Sequence, residues 1–210
     1  MAIAERPARR DVVGSAPDRL LAALGDLLTW RDTLEFSLIE VARRAGVNHA
    51  LVGYHFGGKE GLLLALLERS AASALRSLEK LVAAELPGID KIRLHIHGVL
   101  GVYHRHPYIN RLVNTLQCGS DANARQLADI FILPLRRYQA ALLEQASREG
   151  AIVAVDPSLF YYMLIGACDF LFQSRRTLPH VIGVDSISEE MKRAYADQLV
   201  RILSDGLRPR

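Results

Sequence analysis

The stretch Ser37-Leu-Ile-Glu-Val-Ala-Arg-Arg-Ala-Gly46-Val47-Asn48-His49-Ala50-Leu51-Val52-Gly53-Tyr54-His55-Phe56-Gly57-Gly58-Lys59-Glu60 decides how the chain is read. Ser37 suits a helix N-cap, because its hydroxyl can accept an otherwise unpaired amide of the first turn. Leu38, Val41, Ala42 and Ala45 then share one helical face, and Gly46 fits the left-handed position that ends such a helix. A second short helix runs through Val47, Val52 and Phe56 until Gly57-Gly58 breaks it. Two short helices joined by a tight glycine turn are the minimum that presents one helix to a major groove. Ala42 and Gly46 permit close approach, while Val41, Val47 and Val52 hold the pair together. That leaves Asn48, His49, Leu51 and Tyr54 on the outward face. Asn48 and His49 stand at the N-terminal end of the second helix, where side chains reach base edges and amides meet phosphate.

Working outward, helical periodicity dominates. Residues 1–15, with three arginines, read as a flexible arm. Leu20, Leu21, Leu24, Leu27 and Leu28 form one face of a helix that Ser15 or Asp18 can cap. A long helix resumes through Leu62, Leu63, Leu66 and Leu67, and Pro87-Gly88 separates it from one through Ile92, Ile96, Val99, Leu100 and Tyr103. Pro107 opens a further segment. Asp121 to Glu149 reads as one long helix kinked at Pro134. Asp156-Pro157 is an N-cap followed by Pro at the first helical position, and that helix runs to about Arg176. Ser186-x-x-Glu189 fits a capping box that starts a last helix ending near Gly206. Only Ala151–Val155 hints at a strand. The predicted fold class is all-α.

Composition sets limits without choosing a partner. Half of the 210 residues are hydrophobic, enough for a real core. No apolar run approaches the ~18–20 residues that span a bilayer, and no secretory leader is apparent, so a cytoplasmic protein without a membrane partner is expected. Cys118 and Cys168, far apart and outside any C-x-x-C pattern, read as reduced thiols. The net charge of +3 permits a polyanionic partner. Yet residues 1–60 carry eight basic and eight acidic side chains, so charge balance alone does not point to DNA.

The geometry does, and the residues behind it resemble a known signature. Ser37–Val47 followed by Tyr54-His55-Phe56-Gly-Gly-Lys59-Glu60-Gly-Leu62 is similar to the motif of the TetR family of bacterial repressors. The similarity is strong over about residues 17–68 and rests on helix order and length beyond them. It implies phosphate contacts from Tyr54 and Lys59, with Ser37 and Ile39 near the DNA backbone. Asn48, His49 and Ala50 would read bases, and His55 and Phe56 would anchor the helix to its domain. The sequence departs from the pattern at Gly53, where an aromatic residue is common. It departs again at Leu51, which replaces a small polar residue and can meet a thymine methyl, and at Asp32 in place of a turn glycine. An arm, a helix-turn-helix domain over 16–60 and a helical ligand-sensing and dimerisation domain over 61–210 follow from the resemblance.

Other chemistries leave weaker signatures. Residues 37–60 also suit an amphipathic hairpin without a DNA role. Gly53-x-x-x-x-Gly58-Lys59 mimics part of a phosphate-binding loop, but Glu60 stands where Ser or Thr must hold magnesium, and no strand precedes it. His95, His97, His104 and His106 cluster in sequence, yet His95 and His97 point to different sides of a helix and no Cys or acid lies near. No metal, cofactor or catalytic residue is assigned, and no nucleophile-elbow motif appears. Arg6, Arg9 and Arg10 are either a solvated tail or an accessory DNA contact.

The helix Leu159–Phe172 is apolar nearly all round and must be covered on more than one face. Phe160, Met163, Phe170 and Leu171, with Met191, Tyr195, Leu199 and Ile202 of the last helix, are expected to form a homodimer interface. The alternative is that both helices close the core of one subunit. Tyr103, His104, Phe131, Tyr138 and Tyr162 are candidates to line a pocket for a small, partly apolar effector. The expected function is a repressor binding a palindromic operator as a homodimer and released by that effector. The rivals are a helical ligand-binding protein with a silent DNA head, and an all-α enzyme.

Overall fold

The computed structural model describes residues 14–31 and 33–208. The arginine side chains of the arm and the turn residue Asp32 lie outside them.

Among the described residues all regular structure is helical. Helix α1 (Ala16–Trp30) starts where Ser15, rather than Asp18, accepts an amide as N-cap. Helices α2 (Leu38–Ala45), α3 (Ala50–Phe56) and the first turns of α4 (Lys59–Ala83) pack on it. Leu20, Leu24, Val41, Val52 and Leu62 are fully buried where these four meet, each contributing about 1.5–3 kcal/mol of burial. Past the end of α1, the Arg31 guanidinium grips both oxygens of Glu40 at 3.1 and 2.8 Å and the Glu35 carbonyl at 3.1 Å. This clamp fixes how α2 leaves α1. Helix α4 runs unbroken from the small domain into the large one, so the expected boundary at residue 60 falls inside a helix.

The body comprises α5 (Gly88–Arg105), α6 (Ile109–Gln117), α7 (Asp121–Leu127), α8 (Leu133–Arg148), α9 (Pro157–Gln173), α10 (Leu178–Val181) and α11 (Glu189–Gly206). The single kinked helix expected over 121–149 is instead α7 and α8 joined by a π-helical turn, Ala128–Ile132. Pro134 explains it: proline donates no amide and its ring crowds the carbonyl four residues back. The chain widens so that the Leu133 amide bonds the Ala128 carbonyl, five residues earlier. The cap of α11 is Ser188, which accepts the Met191 amide, and not Ser186. Asp156 caps α9 as expected, accepting from Ser158 and Leu159. Residues Ala151–Val155 form no strand; Val153 donates to the Leu207 carbonyl at 2.8 Å.

Two contacts need particular residues. A Cβ on Gly88 would lie 2.5 Å from the Ala146 amide nitrogen, so glycine lets α5 start against α8. The Lys91 ammonium, buried beneath that junction, donates to the Val82 carbonyl at 2.6 Å and Gln145 at 2.8 Å.

Body and head are also joined by side chains. Arg111 of α6 donates to the carbonyls of Leu28 and Arg31 at 3.1 and 2.9 Å, at the C-terminal end of α1. Asn123 of α7 donates to Glu60 in the first turn of α4 at 2.9 Å.

Candidate functional site

The turn between α2 and α3 follows from its residues. Ser37 accepts the Glu40 amide at 3.1 Å, fixing the start of α2. Gly46 adopts φ 65°, and the Val47 amide returns to the Ala42 carbonyl at 3.0 Å, closing α2 in a left-handed cap. The next helix begins at Ala50, three residues later than Val47, because Asn48 accepts the Ala50 amide at 2.9 Å. Asn48, just before the N-cap His49, is thus tied to the first residue of α3 and exposed at its N-terminal end.

Around this turn, Ser37, Ile39, Asn48, His49, Ala50, Tyr54 and Lys59 are exposed, while Leu51 is half-buried. Tyr54 is 82 % exposed, unusual for so large a ring. The Lys59 ammonium sits 4.6 Å from the centroid of the Phe36 ring. This cation–π contact steadies the side chain while leaving its donors on the surface. His55 does not anchor the helix: it is exposed and packs edge-on against Tyr54, with centroids 4.8 Å apart. Phe56, half-buried, packs on the core. On a seven-residue helix, successive positions cannot all face inward, and the core side belongs to Val52 and Phe56. Gly53 is exposed, and a Cβ there meets nothing within 4 Å. Gly53→Ala should raise thermal stability by up to about 1 kcal/mol, since glycine weakens a helix interior. A calorimetric scan showing a loss instead would mean that the backbone here needs glycine.

The four histidines separate. His95 is buried, its Nε2 2.9 Å from the Gln139 amide, and burial lowers its pKa to about 4, so it is neutral. His97 faces Asp197 at 3.2 Å. His104 spans Glu189 at 3.0 Å and the Ile187 carbonyl at 3.1 Å, and His106 lies 3.4 Å from the Tyr108 hydroxyl. Among the described residues no cluster of His, Cys, Asp and Glu is arranged to hold a metal ion. Cys168 is buried, and burial pushes its thiol up to about 12, so it stays protonated; Cys118 is exposed.

A cavity of about 180 Å³ lies between α4, α5 and the π-helical turn, with α8 and α9 closing its floor. Tyr103 and Phe131 line it, as expected from sequence. The other three candidates lie elsewhere. His104 faces α11, Tyr138 packs half-buried in the core outside the cavity wall, and Tyr162 is 71 % exposed on the outer side of α9. Helical phase decides this: Tyr162 follows the inward Tyr161 by one residue, which turns it about 100° away. Sequence reading missed His95, the serines of α4 and Arg105, which also face the cavity. Their 3–4 residue spacing carried the signal, but polar residues at such spacing equally describe a solvated face.

Helix α9 divides cleanly. Phe160, Tyr161, Leu164, Cys168, Leu171 and Phe172 are buried within the subunit, whereas Leu159, Tyr162, Met163 and Phe170 form an exposed stripe. On α11, Met191, Tyr195 and Leu199 pack partly against the core, Tyr195 donating to the Ala167 carbonyl at 2.6 Å, while Ile202 is exposed. Among the expected interface residues, then, Phe160 and Leu171 serve the subunit core. No helix among the described residues is long and apolar enough to cross a membrane.

Comparison with known proteins agrees with this architecture. The nucleoid occlusion factor SlmA of Alteromonas mediterranea is 24 % identical over 149 residues, 70 % of this chain and 76 % of that protein. The regulator FadR of Bacillus subtilis, solved in complex with stearoyl-CoA, superposes with a TM-score of 0.73 at 14 % identity, covering 90 % of this chain and 98 % of that one. A TetR/AcrR-family transcriptional regulator of Thermobifida fusca gives a TM-score of 0.68 at 17 % identity over 92 % and 98 % of the two chains. Residues 85–209 match the family of tetracyclin repressor-like C-terminal domains. With residues 20–66 matching the bacterial regulatory proteins of the tetR family, this chain belongs to that family of DNA-binding transcriptional regulators.

Proposed function

We propose that the protein is a repressor that binds a palindromic operator as a homodimer and leaves it when a small, partly apolar effector enters the body. The observation that carries this reading is the exposed surface around the α2–α3 turn. Its side chains are those a major groove and its flanking phosphates require, and Asn48, Ser37 and the Arg31–Glu40 clamp hold it in place. In this reading Asn48, His49 and Ala50 meet base edges, with Leu51 packing beside them. Tyr54, Lys59, Ser37 and Ile39 face the backbone, and phosphate contacts fix register while base contacts specify sequence. The exposed stripe of Leu159, Tyr162, Met163 and Phe170 on α9, with the exposed Ile202 of α11, is the subunit interface, since exposed apolar surface of this kind marks an interaction site. The helix-turn-helix unit gives way to the body within the first turns of α4, just past residue 60. The chain acts in the cytoplasm, where its DNA is, and carries out no chemistry of its own.

Selection of random and genomic DNA by the purified protein tests this, with a Tyr54→Ala/Lys59→Ala chain alongside. The wild type should enrich a palindrome whose half-sites lie about 34 Å apart. The double substitution should weaken binding about tenfold and flatten the dependence on salt, because two lysines per dimer no longer displace counterions. Equal binding by both chains at low salt would show that this surface does not read DNA.

A further inference from the structure

From the shape and charge of the cavity we infer that the effector is a straight aliphatic chain of roughly ten to twelve carbons ending in an anionic head, seated with the head at Arg105. The inference rests on the regulator reading and names its ligand class.

The cavity is a slot. Helices α4 and α5 run antiparallel: at one end Lys91 of α5 bonds the Val82 carbonyl at the end of α4, and at the other Ser70 of α4 meets Tyr108, just beyond α5, at 3.2 Å. The slot is walled from Ser70 to Leu81 on α4 and from His95 along α5 to His106. Eleven rises of 1.5 Å from the first of these residues to the last make it about 16 Å long, the reach of an extended chain of about a dozen carbons. Between its ends the wall is mainly aliphatic, with Leu75, Leu78, Val99, Val102 and Leu135 facing the space.

The ends differ in polarity. At the Leu81 end His95 is buried, neutral and already engaged with Gln139, so it offers no charge. At the Ser70 end stand Arg105, His106 and the Ser70 hydroxyl. The guanidinium of Arg69 lies close by and, with Arg105, disfavours a proton on His106, after burial itself. Among the described residues no Asp or Glu lines the slot. A cation over an apolar channel, with no carboxylate to satisfy it there, is complementary to an amphiphile with an anionic head. Gly98 lines the slot, is exposed, and a Cβ there would meet nothing within 4 Å.

Calorimetric titration of the DNA-free protein tests this with dodecanoate, dodecanol and hexanoate, each below its micellar concentration. Dodecanoate should bind at least tenfold more tightly than either of the others. Arg105→Gln, at an exposed position, should erase the difference between acid and alcohol. Gly98→Leu should abolish chain binding without lowering the melting temperature, because leucine favours a helix over glycine. Dodecanol binding as well as dodecanoate would overturn the anionic head, equal binding of hexanoate would overturn the chain, and an unaffected Gly98→Leu would overturn the location. Dodecanoyl-CoA, with CoA alone as control, separates a thioester from a free acid; binding of neither acyl form overturns the proposal. Operator binding is measured on the same samples without ligand. An intact operator complex with no acyl binding removes this inference alone, whereas acyl binding without any operator complex removes the regulator reading.

Discussion

Replacing Met163 and Phe170 together by glutamate is expected to yield a folded monomer that binds operator at least 100-fold more weakly than the wild type. Both side chains are more than half exposed in the subunit, so their loss removes little of its own core, and circular dichroism melting should change by less than about 1 kcal/mol. Across a two-fold axis, however, each substitution appears twice. Four carboxylates would enter an apolar contact, at a cost of several kcal/mol per buried ion left unpaired. Gly166 lies within the same stripe, and its absent side chain leaves open space, which lets a partner helix approach closely. The effect on DNA follows from linkage. In a dimer the second head meets its half-site at an effective concentration in the millimolar range, and a monomer forfeits that gain. Analytical ultracentrifugation reads the first consequence and operator titration the second. A double variant that remains dimeric would place the interface on another face.

How much of this was legible in the sequence depends on the length scale of the physical cause. Ser37, Gly46 and the Asp156-Pro157 pair acted as local rules predict, because a cap involves residues only two to four apart. The head was readable for the same reason: its core is one face of each of a few short helices, and apolar spacing marks each face. The middle of the body was less so. The sequence places Pro134 inside a helix, but whether the chain kinks or widens depends on what packs around it, and here a π-helical turn resulted. For α9, composition is apolar all round, so it cannot say which side is covered by the same subunit. Only the packing of α5, α6 and α8 against it separates Phe160 and Leu171 from Met163 and Phe170. His104 joined the pocket candidates on residue type alone; its actual partners, Glu189 and Ile187, lie more than 80 residues away.

Arg111 is one route by which a signal from the body can reach the head, and Arg111→Leu should weaken that route. Its guanidinium donates to the Leu28 and Arg31 carbonyls, and the last carbonyls of a helix have no partner within it. Hydrogen bonds from a charged donor contribute about 1.5–3 kcal/mol each, so losing both should loosen the docking of α1 on α6 by about 3–6 kcal/mol at most. Leucine keeps the aliphatic packing, which isolates the lost donors. Amides of α1 and α2 should then exchange with solvent at least tenfold faster, while those of α5 and α9, remote from the contact, keep their protection. The other links, among them the continuous α4 with its Glu60–Asn123 bond and the Arg69 bond to the Asp18 carbonyl, hold the head in place but transmit less of any rearrangement of α6. A ligand that favours one arrangement of the body can shift the heads only through contacts that differ between the two states. Arg111→Leu should therefore bind DNA yet release it at least tenfold less completely when dodecanoate is added, and Arg111→Lys should recover part of the response. Full release by the leucine variant, with unchanged exchange in α1, would mean that α4 alone carries the signal.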